Sequence, residues 1–360
     1  MLEDLVRDTL TLCAIPAPTF AEGERATAVA RLLSEAGLEP VVDATGNVLA
    51  RVGGAGPAIV VAAHLDTVFP VDTVLEPRRD RGRLYGPGIG DNSVAIATLI
   101  ELGRHLAGVR RAPSIAVLLA ATVGEEGLGD LRGIRAILDE HPVTAVIALE
   151  GHGIDSVVTA GIASARYVVT YRGPGGHSWR DRDRPSALHV LFDTGRAAIA
   201  EGAPASVNIG VVSGGLSVNS IAGEARMEID IRAETDDVVD RACARIEHVL
   251  GAVPRGIDAE IVQAGRRPGG RIGTAHPLLR EVRRARTRAG LPPAREDSAS
   301  TDANAALGRG IPAVTLGLTR GAAIHRTDEW IELAPLVAGV ATVVHLVHHL
   351  AGLPAPRGLV

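Results

Sequence analysis

Apolar positions along the chain follow two alternating rhythms. Unbroken runs of strand length (59–63, 114–122, 144–149 and 313–318) are separated by stretches whose apolar residues recur every three to four positions, as in 2–14, 20–37, 92–106, 130–140, 276–289 and 332–351. Near-continuous apolar runs without a charged position predict strands covered on both faces, and strands alternating with helices predict an α/β fold, a mostly parallel sheet with helices on both faces. Two shorter strand-like pieces, 39–43 and 47–52, flank the Thr45-Gly46 turn. Near residue 163 the rhythm changes. Strands over 164–172, 206–212, 223–231 and 257–262, with helices over 185–200 and 236–250, give the order β-α-β-β-α-β of a ferredoxin-like sandwich. The first rhythm then resumes, so the expected organisation is a larger domain in two parts, 1–163 and 269–360, with a smaller domain, 164–268, inserted between them.

The polar residues that end the apolar runs are the candidate chemistry, because ligands of open α/β sheets bind outside the carboxyl ends of the strands. The first run ends in His64-Leu65-Asp66, the second leads to Gly124-Glu125-Glu126, the third ends in Glu150, and the fourth leads through a glycine-containing loop to His325. The loop Gly86-Pro87-Gly88-Ile89-Gly90-Asp91 adds another carboxylate. Two imidazoles and three carboxylates suffice for a pair of divalent metals. Asp66, two residues after His64, is placed to accept the second ring N–H and fix the tautomer. Asp91 also reads as a helix-capping residue, and both roles are compatible. Of the adjacent acids Glu125 and Glu126, one can bind metal while the other takes a proton from water, and the flanking glycines leave room for a ligand. His152 competes with Glu150 as the ligand after the third run. His345, His348 and His349 have metal-like helical spacing, but no acid is expected near them, and they read as a solvated or packed face.

Composition narrows the classes. Apolar residues are 46% and aromatics only 2%, so Val, Leu, Ile and Ala fill the core and stacking platforms for nucleic acid are not expected. All 37 basic residues are arginine, which removes lysine Schiff-base chemistry, and the net charge of −5 gives no reason to expect nucleic acid or an anionic membrane as partner. Cys13 and Cys243 lie far apart in helix-like segments, which fits a reducing compartment, and the acidic start of the chain reads as cytoplasmic. The stretch 333–353 lacks a formal charge over a length that could span a bilayer, but it contains Pro335 and three histidines and reads as a buried helix.

Taken together, His64-x-Asp66, Gly90-Asp91, Glu125-Glu126, Glu150, Gly175-Gly176-His177-Ser178 and His325-x-x-x-Glu329 resemble the co-catalytic zinc exopeptidase family of carboxypeptidase G, peptidase T, acetylornithine deacetylase, succinyl-diaminopimelate desuccinylase and aminoacylase. The resemblance covers essentially the whole chain. It implies Asp91 as a ligand shared by two metals, His64 and Glu150 completing one site, Glu126 and His325 the other, Glu125 as general base and Asp66 orienting His64. It further implies that the inserted domain is a lid and homodimerisation domain, that His177 reaches an active site across the dimer, and that Asn219 and Arg232 contact substrate. Arg232 reads equally well as a surface arginine paired with Asp230 or Glu234. One departure is that Asp91 is followed by Asn92-Ser93-Val94, where many members have a residue, a lysine and a glycine. The implied activity is cleavage of an amide bond in a small peptide or N-acyl amino acid by a water bridging two divalent ions, zinc first and cobalt or manganese next. The rivals are an N-carbamoyl or ureide amidohydrolase of the same fold and a catalytically silent binding relative.

Overall fold

The structure is a computed structural model and describes residues 1–356. The chain divides into two compact units, Met1–Gly161 together with the segment from Gly270 on, and Ile162–Gly269.

In the first unit a nine-stranded sheet carries the core. Its centre is four adjacent parallel strands, Ala116–Thr122, Ala58–His64, Val143–Glu150 and Ala313–Gly317, in that spatial order. The first two of these bury every residue, as expected of apolar runs covered on both faces. Because the four run the same way, their carboxyl ends share one edge of the sheet. His64 lies opposite Thr122, and Glu150 opposite Gly317. Antiparallel strands lie outside this centre: Val48–Val52 pairs with Ala116–Thr122, and Ser156–Gly161 with Ala313–Gly317.

Several elements carry no signal of the expected rhythm. Arg295–Ala299 reads Arg-Glu-Asp-Ser-Ala and is largely exposed, yet it pairs in parallel with Ser156–Gly161. A small four-stranded sheet of Arg78–Asp80, Arg83–Tyr85, Gly321–Ala322 and Trp330–Glu332 was likewise not expected, since strands of two or three residues are too short to show a period. This sheet matters to the site, because it joins the segment after His325 to the segment before Asp91. The uncharged stretch near the C-terminus forms the helix Leu336–Leu350, which buries Val340, Val343, Val344 and Val347 and contacts the helix Pro277–Arg288. Among the described residues no helix is long and apolar enough to cross a membrane. His349 pairs with Glu281 at 3.0 Å, which corrects the expectation that no acid stands near the C-terminal histidines. The acid comes from the neighbouring helix, 68 positions earlier in the sequence.

The second unit is an antiparallel sheet in the order Ser206–Gly214, Glu224–Ala233, Ala163–Arg172, Asp258–Arg267, with helices Ala187–Glu201 and Asp236–Gly251. It has its own core, in which Tyr167, Tyr171, Met227, Ile229, Ile231 and Ile246 are buried. The alternating burial of Glu224–Ala233 is that of a strand with one face on the helices.

Candidate metal centre and catalytic carboxylate

The shared strand edge brings five of the expected residues together. Asp91 is at the middle: its Oδ1 lies 3.0 Å from His64 Nε2 and its Oδ2 lies 3.1 Å from His325 Nε2. Glu126 Oε1 is 3.2 Å from the same His325 nitrogen, and Glu150 Oε2 is 3.8 Å from His64 Nε2. Ligand atoms of His64, Asp91 and Glu126 all fall within 4.8 Å of one another. His325 has a φ of 64°, a left-handed conformation uncommon for a residue with a Cβ and concentrated at functional sites.

The electrostatics are those of a cation site. Burial disfavours the charged form of His64, but Asp66, Asp91 and Glu150 outweigh it and raise its pKa well above the usual value. Asp91 and Glu126 raise His325 to about 10. Asp91 is half-buried, which disfavours its charge, yet the two imidazoles hold its carboxyl well below the usual range. Glu150 is pushed up to about 7 by burial, against the pull of His64. Without a metal, protons on the imidazoles stand where cations would compensate the carboxylates, so the donor set fits divalent ions.

His64 Nδ1–H donates to the backbone carbonyl of Asp66 at 2.9 Å. A carbonyl can only accept, so this bond leaves the Nε2 lone pair of the neutral ring facing Asp91. The expected acceptor was the Asp66 carboxylate, but its Oδ1 is 3.6 Å away, too far for a hydrogen bond. That carboxylate instead holds the turn of the two acids, accepting the N–H of Glu125 at 3.0 Å, the N–H of Glu126 at 2.8 Å and the hydroxyl of Thr19 at 2.9 Å. Two residues absent from the sequence reading continue the pattern. Val123 N–H donates to Asn47 Oδ1 (3.0 Å) and Gly124 N–H to Glu22 Oε1 (3.1 Å), so four consecutive amides from 123 to 126 end on side-chain oxygens. Arg132 binds the same Glu22 oxygen at 2.6 Å. Gly124 has a φ of 68°, and an added Cβ would meet the Arg132 side chain at 2.7 Å.

His152 does not join the ligand candidates. Its Nε2 lies 2.6 Å from Glu329 Oε1, whereas Glu150 faces His64.

The other three candidates belong to the second unit. His177 and Asn219 are neighbours: Gly176–His177 pairs with Ser220–Ile221, and Ser178 N–H donates to the Asn219 carbonyl. His177 is exposed, and its Nδ1 accepts from Trp179 N–H at 3.1 Å. Arg232 Nε donates to Asp230 Oδ2 at 2.5 Å, the surface pairing foreseen as one of its two readings.

A profile of the peptidase family M20/M25/M40 matches residues 60–349, which include the five clustered residues and Glu125. A peptidase M20 domain-containing protein of Schizosaccharomyces pombe is 24% identical over 233 residues, 60% of this chain and 57% of the relative. The chain thus spans little more than half the length of that curated relative. Among solved structures, a dinuclear metal-binding peptidase of the M20 family from Bacillus subtilis superimposes with a TM-score of 0.65 at 19% identity, covering 98% of this chain and 99% of the other. An amidase of the hydantoinase/carbamoylase family from Burkholderia vietnamiensis gives a TM-score of 0.76 at 17% identity, covering 98% and 97%. At these identities the structures speak for the fold, and the profile, spanning most of the chain, places the protein in peptidase family M20/M25/M40.

Proposed function

We propose that the protein is a metal-dependent hydrolase that cleaves an amide bond in a small peptide or N-acyl amino acid and uses two divalent cations. The observation that carries this reading is the division of Asp91, whose two carboxylate oxygens face two different imidazoles at 3.0 and 3.1 Å. His64 and Glu150 would hold one ion and Glu126 and His325 the other, with Asp91 shared. Oxygen and nitrogen donors of this kind suit zinc, cobalt or manganese. When bound, the ions would supply Lewis-acid polarisation of the scissile carbonyl and acidify water.

The protein's own part is proton handling and placement. Glu125, buried beside a ligand candidate and fixed through its backbone by Asp66, takes the proton of the attacking water and passes it to the leaving nitrogen. One amide and one water become one carboxylic acid and one amine. The same machinery serves a ureide bond, and the likeness to the hydantoinase/carbamoylase-family amidase keeps N-carbamoyl amino acids as the second substrate class. A silent binding relative would have no need of a buried acid at position 125 or of the four-amide cradle that holds it.

The unit 162–269 would act as lid and as homodimer surface. Trp179, Leu216 and Val218, on the two loops that carry His177 and Asn219, are 73%, 94% and 102% exposed. Large apolar side chains this bare on adjoining loops suit coverage by a second copy. The test is removal and return of metal: chelation should abolish hydrolysis of dipeptides, N-acyl or N-carbamoyl amino acids, and two equivalents of zinc per chain should restore it. Full activity at one equivalent would overturn the two-ion reading.

A further inference from the structure

Glu329 is fully buried, and its carboxylate hydrogen-bonds to segments that carry candidates of the proposed metal centre. Oε2 accepts the N–H of Gly88 at 2.8 Å, and Oε1 accepts the N–H of Gly90 at 3.2 Å and of Asp91 at 3.0 Å. The same Oε1 meets His152 Nε2 at 2.6 Å. The backbone carbonyl of Glu329 also accepts the N–H of Gly86. One carboxylate therefore joins three segments that each carry a ligand candidate: the loop ending in Asp91, the strand end Glu150-Gly151-His152, and the loop His325-Arg326-Thr327-Asp328-Glu329.

Packing around it leaves almost no slack. A Cβ on Gly90 would lie 2.2 Å from His152 Nε2 and 2.7 Å from Glu329 Oε1, and one on Gly151 would lie 2.1 Å from the Gly90 carbonyl oxygen. Real Cβ contacts do not come that close, so the glycines let the backbone close onto the carboxylate and the imidazole.

We propose that Glu329 is a positioning residue that sets Asp91 between the two imidazoles, and that His152 serves it by donating a hydrogen bond and is not a metal ligand. A buried carboxylate with four donors is rigid, because any departure of the Asp91 loop strands its oxygens without partners away from water. The two oxygens of Asp91 can then face His64 and His325 without a search over loop conformations. The proposal rests on the reading of Asp91 as the shared ligand.

The test compares wild type with Glu329→Gln, His152→Ala and His152→Gln, by zinc titration against a chromophoric chelator and by the visible spectrum of the cobalt(II) form. An amide at 329 keeps one acceptor oxygen and turns an N–H toward the donors on the other side. Glu329→Gln is expected to keep two zinc sites at saturation, to lose affinity by on the order of 10–100-fold, and to shift the cobalt bands. His152→Ala should show a smaller loss in the same direction, and His152→Gln, whose amide N–H can still reach Oε1, should recover toward wild type. Wild-type affinity and spectrum in Glu329→Gln would overturn the proposal, as would loss of a whole zinc equivalent in any of the three variants, which would make the residue a ligand. Should Glu329→Gln fail to fold, the His152 pair decides: equal, wild-type-like affinities in both variants overturn it. A wild type that binds no zinc would defeat the metal reading itself, and this inference with it.

Discussion

Asp66 Oδ2 accepts the backbone N–H of Glu126 at 2.8 Å, and its Oδ1 accepts that of Glu125 at 3.0 Å. One carboxylate thus grips both members of the acid pair by the backbone while its own carbonyl fixes the ring of His64. The Asp66 carboxyl is buried, which alone would raise its pKa, yet His64 and the two backbone amides lower it below the usual value. It is therefore ionised and acceptor-only at neutral pH, as two incoming N–H groups require.

Asp66→Asn tests this division of labour. The amide keeps one acceptor but sets an NH2 group against one of the two N–H donors, so the turn must shift. Turnover should fall by roughly 10–100-fold, the size seen when a group supporting a metal site is lost, while His64 keeps its tautomer through the Asp66 carbonyl. Metal content should stay near wild type by elemental analysis. Loss of metal in step with activity would show that the carboxylate acts on His64 after all.

The acid pair is separable by the same assay. Glu126 reaches His325 at 3.2 Å and belongs with the ligands, so Glu126→Gln should lose metal. Glu125→Gln should keep it and lower turnover by roughly two to four orders of magnitude, the usual worth of a general base. The reverse pattern would mean that the roles of the two acids are exchanged.

How much of this was legible beforehand differs by element. The central strands were readable because an apolar run covered on both faces needs no partner to declare itself, and the polar residue ending each run then falls at the ligand edge. What the sequence hides is support from a distance. Glu22 looks like an ordinary acid before the helix Gly23–Glu35, and only the fold brings it to Gly124, 102 positions later. Glu329 was visible as part of a motif, four residues after His325, but its reach to Gly88 spans 241 positions. Asp66 was picked out for the right neighbour and the wrong atoms, since spacing shows proximity and not which oxygen faces which donor. Arg295–Ala299 is held as a strand by pairing with Ser156–Gly161, a cause its own residues do not carry.

Proton release should accompany metal uptake. In the metal-free protein His325 is raised to about 10 by Asp91 and Glu126, and His64 is raised as well, so both rings carry protons at neutral pH that a cation must displace. Zinc affinity should therefore tighten as pH rises from about 6.5 toward 10. The sign for stability is opposite. A histidine whose folded pKa exceeds its unfolded value of 6.5 contributes fully below 6.5, and that contribution fades as pH climbs through about 10. The metal-free protein should lose thermal stability over that window and the zinc-loaded protein should not. Calorimetry of zinc binding at pH 7.5 in buffers of different ionisation enthalpy checks the first half: equal heats in all buffers would contradict it.

The last expectation concerns the substrate's carboxylate. Arg232 is bound to Asp230, so a substrate must compete with an ion pair already formed. Asp230 does not depend on Arg232 alone, because Arg166 Nε holds its other oxygen at 3.0 Å. Arg166 is largely buried, and both its burial and repulsion from Arg267 lower its pKa. Two guanidinium groups share the Asp230 carboxylate, and Arg232 is the exposed member that can turn away without leaving Asp230 unpaired. A guanidinium grips a carboxylate through two parallel hydrogen bonds, which an ammonium cannot copy. If Arg232 binds the substrate's carboxylate, Arg232→Lys should raise KM for free-carboxylate substrates by on the order of tenfold or more, the loss of about one charge-assisted hydrogen bond, and leave a C-terminally amidated analogue, already poor, almost unchanged. Asp230→Asn should move KM the other way by releasing Arg232. Equal cleavage of acid and amide by the wild type would rule out the clamp and leave Arg232 as a partner of Asp230 only.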